Sequence, residues 1–362
     1  MKMCKRVYHI GENVSYESGG LRSMIHNLNN YVNSHDIPSE ILTLKKEKSD
    51  IERNIPYISN PWYYSKSFKE ILNNLDSNNS IFHLHGVFFY PQYIANKIAY
   101  KKNIPDILTS HGMLSDFLMN QKSFKKSIYK KLVLKNLMQK TQILHAITEY
   151  EKDILFKISG NKNIIEIPNL IDVNRNYVES LNYDPEDEYI LYLGRFHNVK
   201  GIDLLVKAFE SCNPKSLKLY LVGFKNEYSK SIEDYLISKK LTSKIIVKDA
   251  LIDDEKEMII KNAKALIYPS NSEVIGMVNL EAAALKTPVV TTVNTGIKKE
   301  WSENGGLLLQ PNISELINAI NLINQWTLEE RLMKGNQIFD FVEKNYSWQK
   351  KGELWSNLYN TL

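Results

Sequence analysis

The chain has 362 residues, 43% of them hydrophobic and 24% charged, proportions that exclude disordered and collagen-like classes. At roughly 100–200 residues per domain the length predicts two domains, each able to bury its own core, and no apolar run approaches the roughly 18–20 residues that span a bilayer. The net charge of +5 is uneven: residues 1–170 carry 23 Lys and Arg against 15 Asp and Glu, net +8, which leaves net −3 for residues 171–362.

In chain order, MKMCKRVYHI runs directly into a strand-like segment instead of a signal-peptide apolar region, so a cytoplasmic location is expected. Strands are predicted at 5–10, 40–44, 81–86, 106–112, 143–148 and 164–169, with helical stretches between most of them. The polar, acidic segment 172–188 reads as a linker. The same rhythm returns at 189–194, 218–223, 244–249, 265–270 and 288–292, followed by amphipathic helices around 313–325 and 328–345. Because parallel strands need crossover helices, this alternation predicts two doubly wound α/β domains, 1–171 and 189–345. The closing segment 346–362 is expected to join the first domain, with Trp348, Trp355 and Tyr359 on one helix face. Cys4 and Cys212 lie far apart outside any CxxC pattern, as two reduced packing residues do.

In open α/β sheets, ligands bind beyond the carboxyl ends of the strands. Four predicted strands end in glycine: LHG (84–86), SHG (110–112), YLG (192–194) and LVG (221–223). Neither a P-loop nor a strand followed by G-x-G-x-x-G occurs, which counts against P-loop ATPases and ordinary dinucleotide oxidoreductases. Gly19 and Gly20 stand between the first strand and a helix, where backbone amides could face a phosphate or a sugar hydroxyl. His83 and His85 share a strand face, but two ligands without a third nearby make a poor metal site. Residues 121–140 hold seven lysines and no acid along an apolar stripe. That is a basic amphipathic helix whose lysines, Lys122, Lys125, Lys126, Lys130 and Lys131 among them, suit either solvent or an anionic membrane or acceptor surface. No nucleic-acid-binding module accompanies them.

In YLGRFHNVKGIDLLVKAF (192–209) a strand ends at Gly194, a loop presents Arg195 and Lys200, and a helix begins near Gly201, an anion site in outline. In SNSEVIGMVNLEAAALKTPVV (270–290), Glu273 follows a strand tip, Gly276 permits close approach, and Glu281 lies on the next helix. The pair suits clamping hydroxyls better than a hydrolase dyad, whose carboxylates flank the scissile bond from separate elements.

GRFHNVKG together with E-x(7)-E, SGGL near the N-terminus and SHGML between them resembles the retaining glycosyltransferases of family 4, with the GT-B fold of two Rossmann-like domains and a cleft between them. The stretch from His111 to Leu155 resembles bacterial polysaccharide and lipopolysaccharide members. The resemblance implies a UDP- or GDP-sugar donor held mainly by the C-terminal domain. The acceptor it implies is a glycan or an undecaprenyl-pyrophosphate-linked chain for O-antigen, capsule or lipopolysaccharide. By position, Arg195 and Lys200 would neutralise the donor diphosphate, Glu281 would hold the ribose, and Glu273 the hydroxyls of the transferred sugar. Amides near Gly276, Met277 and Val278 would complete those contacts, His111 would sit beside the transferred sugar, and Gly19 and Gly20 would line the wall near the diphosphate. It also implies no catalytic metal, with the two cations in its electrostatic place.

The sequence departs from the family pattern at Val274 and Ile275, at Leu170 after Pro168-Asn169, and at Lys286 before Thr287-Pro288; these bear on donor identity more than on activity. A sugar-nucleotide epimerase of GT-B-like architecture needs the same donor clamp, whereas a non-catalytic sugar-nucleotide-binding membrane scaffold requires a broken site, against which the intact Arg195, Lys200, Glu273 and Glu281 speak. The expected location is the cytoplasm, peripheral on the inner face of the membrane.

Overall fold

The computed structural model describes residues 5–15, 18–45, 52–57, 62–114, 129, 133–180, 183 and 187–362. Lys122, Lys125, Lys126, Lys130 and Lys131 lie outside the described residues, as does Cys4. The chain divides into two compact units, Met1–Leu170 with Lys351–Leu362, and Ile171–Lys350. Among the described residues no helix is long and apolar enough to cross a membrane.

Unit 1 holds a seven-stranded sheet in the order β3-β2-β1-β4-β5-β6-β7: β1 Arg6–Asn13, β2 Ser39–Lys45, β3 Glu52–Asn54, β4 Ser80–His85, β5 Asp106–Thr109, β6 Ile143–Ala146 and β7 Ile164–Glu166. Every strand pair in it is parallel. Unit 2 repeats the plan in six parallel strands, β10-β9-β8-β11-β12-β13. These are β8 Tyr189–Leu193, β9 Lys218–Val222, β10 Ile245–Lys248, β11 Ala265–Tyr268, β12 Val289–Thr292 and β13 Leu307–Leu309. The eleven expected strands are all present. The two additional ones, β3 and β13, are three-residue edge strands; the polar Glu52-Arg53-Asn54 and the half-buried Leu307–Leu309 offer too short a pattern to read.

Strands covered by helices on both faces bury both sets of side chains, and β4, β5, β6, β8, β11 and β12 are buried throughout. In each sheet the strand order reverses beside its first strand, between β1 and β4 in unit 1 and between β8 and β11 in unit 2. Those reversals are where doubly wound sheets receive ligands, beyond the strands' carboxyl ends.

Two expectations about the connections change. Within the expected linker 172–188, Arg175–Ser180 is helical. Arg175 ties it to unit 2 through Asp340 at 2.7 Å and Glu343 at 2.6 Å on the helix Leu328–Tyr346. The C-terminal segment is not one helix. Trp348–Lys351 and Glu353–Thr361 are separated at Gly352, a residue that weakens helix continuity. Trp348 therefore belongs with unit 2, its N–H bonded to the Ile171 carbonyl at 3.1 Å, whereas Trp355 and Tyr359 are buried in unit 1.

Candidate functional site

In unit 2 the loop after β8 folds back on the loop after β11. Gly201 has φ +68, and a Cβ there would lie 2.3 Å from the Pro269 carbonyl oxygen, so only glycine lets the two loops touch. The Asn271 N–H donates to the Val199 carbonyl at 2.8 Å, which closes the contact. The expected anion site thereby becomes a rigid one: Lys200 is buried, its ammonium in direct contact with the Glu273 carboxylate and 5.5 Å from the centre of the Tyr268 ring. The Tyr268 hydroxyl donates to the same Glu273 oxygen at 3.0 Å. Burial first, then the Arg195 charge, pull Lys200 below the ordinary lysine range to about 7.

Arg195 stands exposed on the same loop, its carbonyl held by the Tyr192 hydroxyl at 2.8 Å. Gly194 directly follows β8 beside it. At Gly276 a Cβ would meet Asn279 Nδ2 at 2.8 Å and the Tyr268 ring at 3.0 Å, so the missing side chain is what lets the helix Met277–Ala284 begin against Tyr268. That helix has neither a side-chain cap nor an acid in its first turn, which leaves Met277 and Val278 at an uncapped start. Glu281 lies one turn further and pairs with Lys256 at 2.8 Å. The arrangement can accept an anion at Arg195 and Lys200 and hydroxyl donors at Glu273 and Glu281. Tyr268 and Lys256 were not anticipated; a tyrosine closing a buried strand just before Pro269 was the available signal for the first.

In unit 1, Gly19 and Gly20 are exposed at the start of the helix Gly20–Ser34, where Gly19 has φ +57. His111 follows β5 with φ +49, a left-handed conformation that is uncommon for a side-chain-bearing residue and is held only where surroundings enforce it. The enforcing group is Glu151, which is buried and accepts from the Ser110 hydroxyl at 2.5 Å and the amides of Gly112 at 2.7 Å and Ile147 at 2.8 Å. Burial raises its carboxyl pKa, and these three donors oppose the shift.

His111 is also the outermost of five histidines gathered in the sheet. The expectation that His83 and His85 lack a third neighbour is overturned: parallel register sets His9 of β1 opposite His83, and all three rings offer nitrogens within 4.8 Å of one another. Five of their six ring nitrogens are hydrogen-bonded, the exception being His9 Nε2. A cation would have to break those bonds to enter, so the residues present fit a hydrogen-bonded core better than a metal centre.

Residues 173–336 match the family of glycosyl transferases group 1. An uncharacterized glycosyltransferase of Methanocaldococcus jannaschii is 28% identical over 347 residues, 95% of this chain and 86% of its own. The capsular polysaccharide biosynthesis glycosyltransferase CapM of Staphylococcus aureus is 26% identical over 209 residues, 56% of this chain and 54% of its own. The solved structure of Anabaena HepE in complex with UDP-glucose has a TM-score of 0.78 at 14% identity, covering 99% of this chain and 100% of that one. These matches support a glycosyltransferase: residues 173–336 carry the glycosyl transferases group 1 match, and the chain has the GT-B fold.

Proposed function

We propose that this chain is a retaining glycosyltransferase of family 4 that moves a sugar from a UDP- or GDP-sugar to a glycan or lipid-linked acceptor in cell-surface polysaccharide synthesis. The observation that carries the reading is the pairing of buried Lys200 with half-buried Glu273, beside Arg195, at the strand reversal of unit 2. HepE, solved with UDP-glucose, and CapM, a capsular polysaccharide enzyme, support the donor class and the pathway.

In this reading the donor exchanges partners within the pair: its diphosphate takes Lys200 and Arg195, and the transferred sugar's hydroxyls take Glu273. Negative charge grows on the leaving nucleoside diphosphate as the glycosidic bond breaks, so two fixed cations bind the transition state more strongly than the ground state. No catalytic metal is assigned, because the cations do that electrostatic work. Glu281 holds the ribose, amides near Gly276, Met277 and Val278 complete the donor contacts, and Gly19 and Gly20 contribute near the diphosphate. His111 acts on the transferred sugar. The lysines of 121–140 meet anionic lipid, which flotation with anionic liposomes at low salt would display and whose absence there would refute.

Isothermal calorimetry against a panel of sugar nucleotides tests the donor assignment. Binding of one UDP- or GDP-sugar by the wild-type chain, weakened in Glu281→Ala, is expected. No binding by any member, or Glu281→Ala binding unchanged, overturns the assignment it concerns.

A further inference from the structure

The histidines of unit 1 form two hydrogen-bonded chains whose proton positions follow from their ends. In the first, His145 Nε2 lies 2.8 Å from the Ile167 carbonyl, which only accepts, so the proton of neutral His145 is on Nε2 and its Nδ1 is an acceptor. Thr109 therefore donates its hydroxyl proton to His145 Nδ1 at 2.8 Å and accepts from His83 Nε2 at 2.8 Å. His83 Nδ1 is then an acceptor for the Tyr359 hydroxyl at 2.6 Å. One backbone carbonyl thus orients every donor out to the C-terminal helix.

The second chain begins at His9, buried completely, whose Nε2 has no partner among the described residues. A proton on Nε2 would be an orphaned buried N–H, a rare and costly arrangement. On Nδ1 it is donated to His85 Nε2 at 3.1 Å, leaving only a lone pair unmatched. His85, accepting at Nε2, carries its proton on Nδ1 and donates it to His111 Nε2 at 3.0 Å. His111, accepting at Nε2, is left with its proton on Nδ1, and the His85 and His111 rings stack at 5.2 Å.

We propose that His9 and His85 are positioning residues that lock His111 as the neutral Nδ1–H tautomer, so that it meets its ligand as a hydrogen-bond donor to oxygen and not as a base. A proton added to His111 Nδ1 finds that site already occupied. One added to Nε2 would turn an acceptor into a second donor facing the His85 N–H, and reversing the chain would strand a proton on His9 Nε2. Burial and the neighbouring His145 act in the same direction, holding His111 down to about 3. The inference deepens the proposed function and rests on its placement of His111 beside the transferred sugar; the tautomer itself is independent of that placement.

The test is long-range proton–nitrogen correlation NMR of the full chain labelled with 15N-histidine, followed by kinetics. Nδ1 protonated and Nε2 bare is expected at both His9 and His111, and protonation of His111 at Nε2 overturns the lock. His85→Asn, whose amide N–H reaches about as far as the imidazole Nδ1, is expected to keep the His111 tautomer. His85→Leu is expected to release a mixture of tautomers, with kcat at least about tenfold lower and the donor KM unchanged, and His85→Asn to rescue kcat in part. An unchanged tautomer in His85→Leu overturns the proposal. If that variant does not fold, the wild-type spectrum decides alone. The expected tautomer together with full transfer by His111→Ala would leave the lock standing and sink the role given to His111.

Discussion

The two units share a doubly wound plan and differ in what their central strands bury. Around its reversal unit 1 buries imidazoles: His9, His83, His85 and His145 are fully inaccessible and held neutral, with His9 at about 3 and His145 at about 4. Around the corresponding reversal unit 2 buries phenols, Tyr192 and Tyr268, stacked 5.9 Å apart, and sets its charges at the strand tips instead. Apart from His9 Nε2, both solutions satisfy these buried polar groups by hydrogen bonds. One yields a neutral, oriented donor; the other yields an ion pair that an anion can prise open.

Acid should break the comparison most sharply. The buried imidazoles return to about 6.5 in the unfolded chain, so below that pH the unfolded state binds more protons than the folded one. Their contribution is complete above about pH 6.5 and is lost as pH falls, by up to about 1.4 kcal/mol per histidine per pH unit. Hydrogen exchange, corrected for intrinsic rates, should show β1, β4 and β6 opening between pH 6.5 and 5 while β8 and β11 stay protected. Equal protection of both units at pH 5 would contradict the neutral core.

The next effect belongs to the charged site. Arg195→Ala and Lys200→Ala are each expected to lower kcat by roughly 10²–10³ with the fold intact, the scale of removing one transition-state donor. Near-wild-type turnover in both would remove the diphosphate assignment. A subtler consequence concerns protons: donor phosphate should return Lys200 from about 7 toward its ordinary range. Binding at pH 8 then takes up as much as about one proton, and binding at pH 6 takes up almost none. Calorimetry in buffers of different ionisation enthalpy reads this directly, and no uptake at pH 8 would show Lys200 already charged.

The smallest effect sharpens the account of unit 1. Tyr359→Phe deletes the hydroxyl that donates to His83 Nδ1, which should cost about 1–2 kcal/mol of stability. Exchange should quicken in the helix Glu353–Thr361 and leave unit 2 unaltered; an unchanged melting temperature would mean that Trp355 packing alone holds the helix.

Much of this was legible beforehand because it is local. Strand and helix periods follow from side-chain alternation, and glycine at strand tips marked the loops at Gly194 and His111-Gly112. Arg195 and Lys200 were visible as two cations in one loop. Their partners were not. Lys200 meets Glu273 across 73 positions of sequence, and Glu281 meets Lys256 on another helix. The same holds for Trp348, which a periodic count places with Trp355 and Tyr359 and which the break at Gly352 assigns to the other unit.

The amino-acid order alone determined the two parallel sheets, their helices and the loops that carry the site, because hydrophobic period and strand-tip glycines act over a few residues. Tertiary structure decided the wiring. Which histidine faces which depends on the register of β1 against β4 and of β4 against β5, and the ion pair depends on Gly201 meeting Pro269. Register and loop contact are properties of the assembled sheet. The first 170 residues carry a net charge of +8. The same unit encloses a neutral, directional core that contributes nothing to that count, because its buried histidines carry no charge.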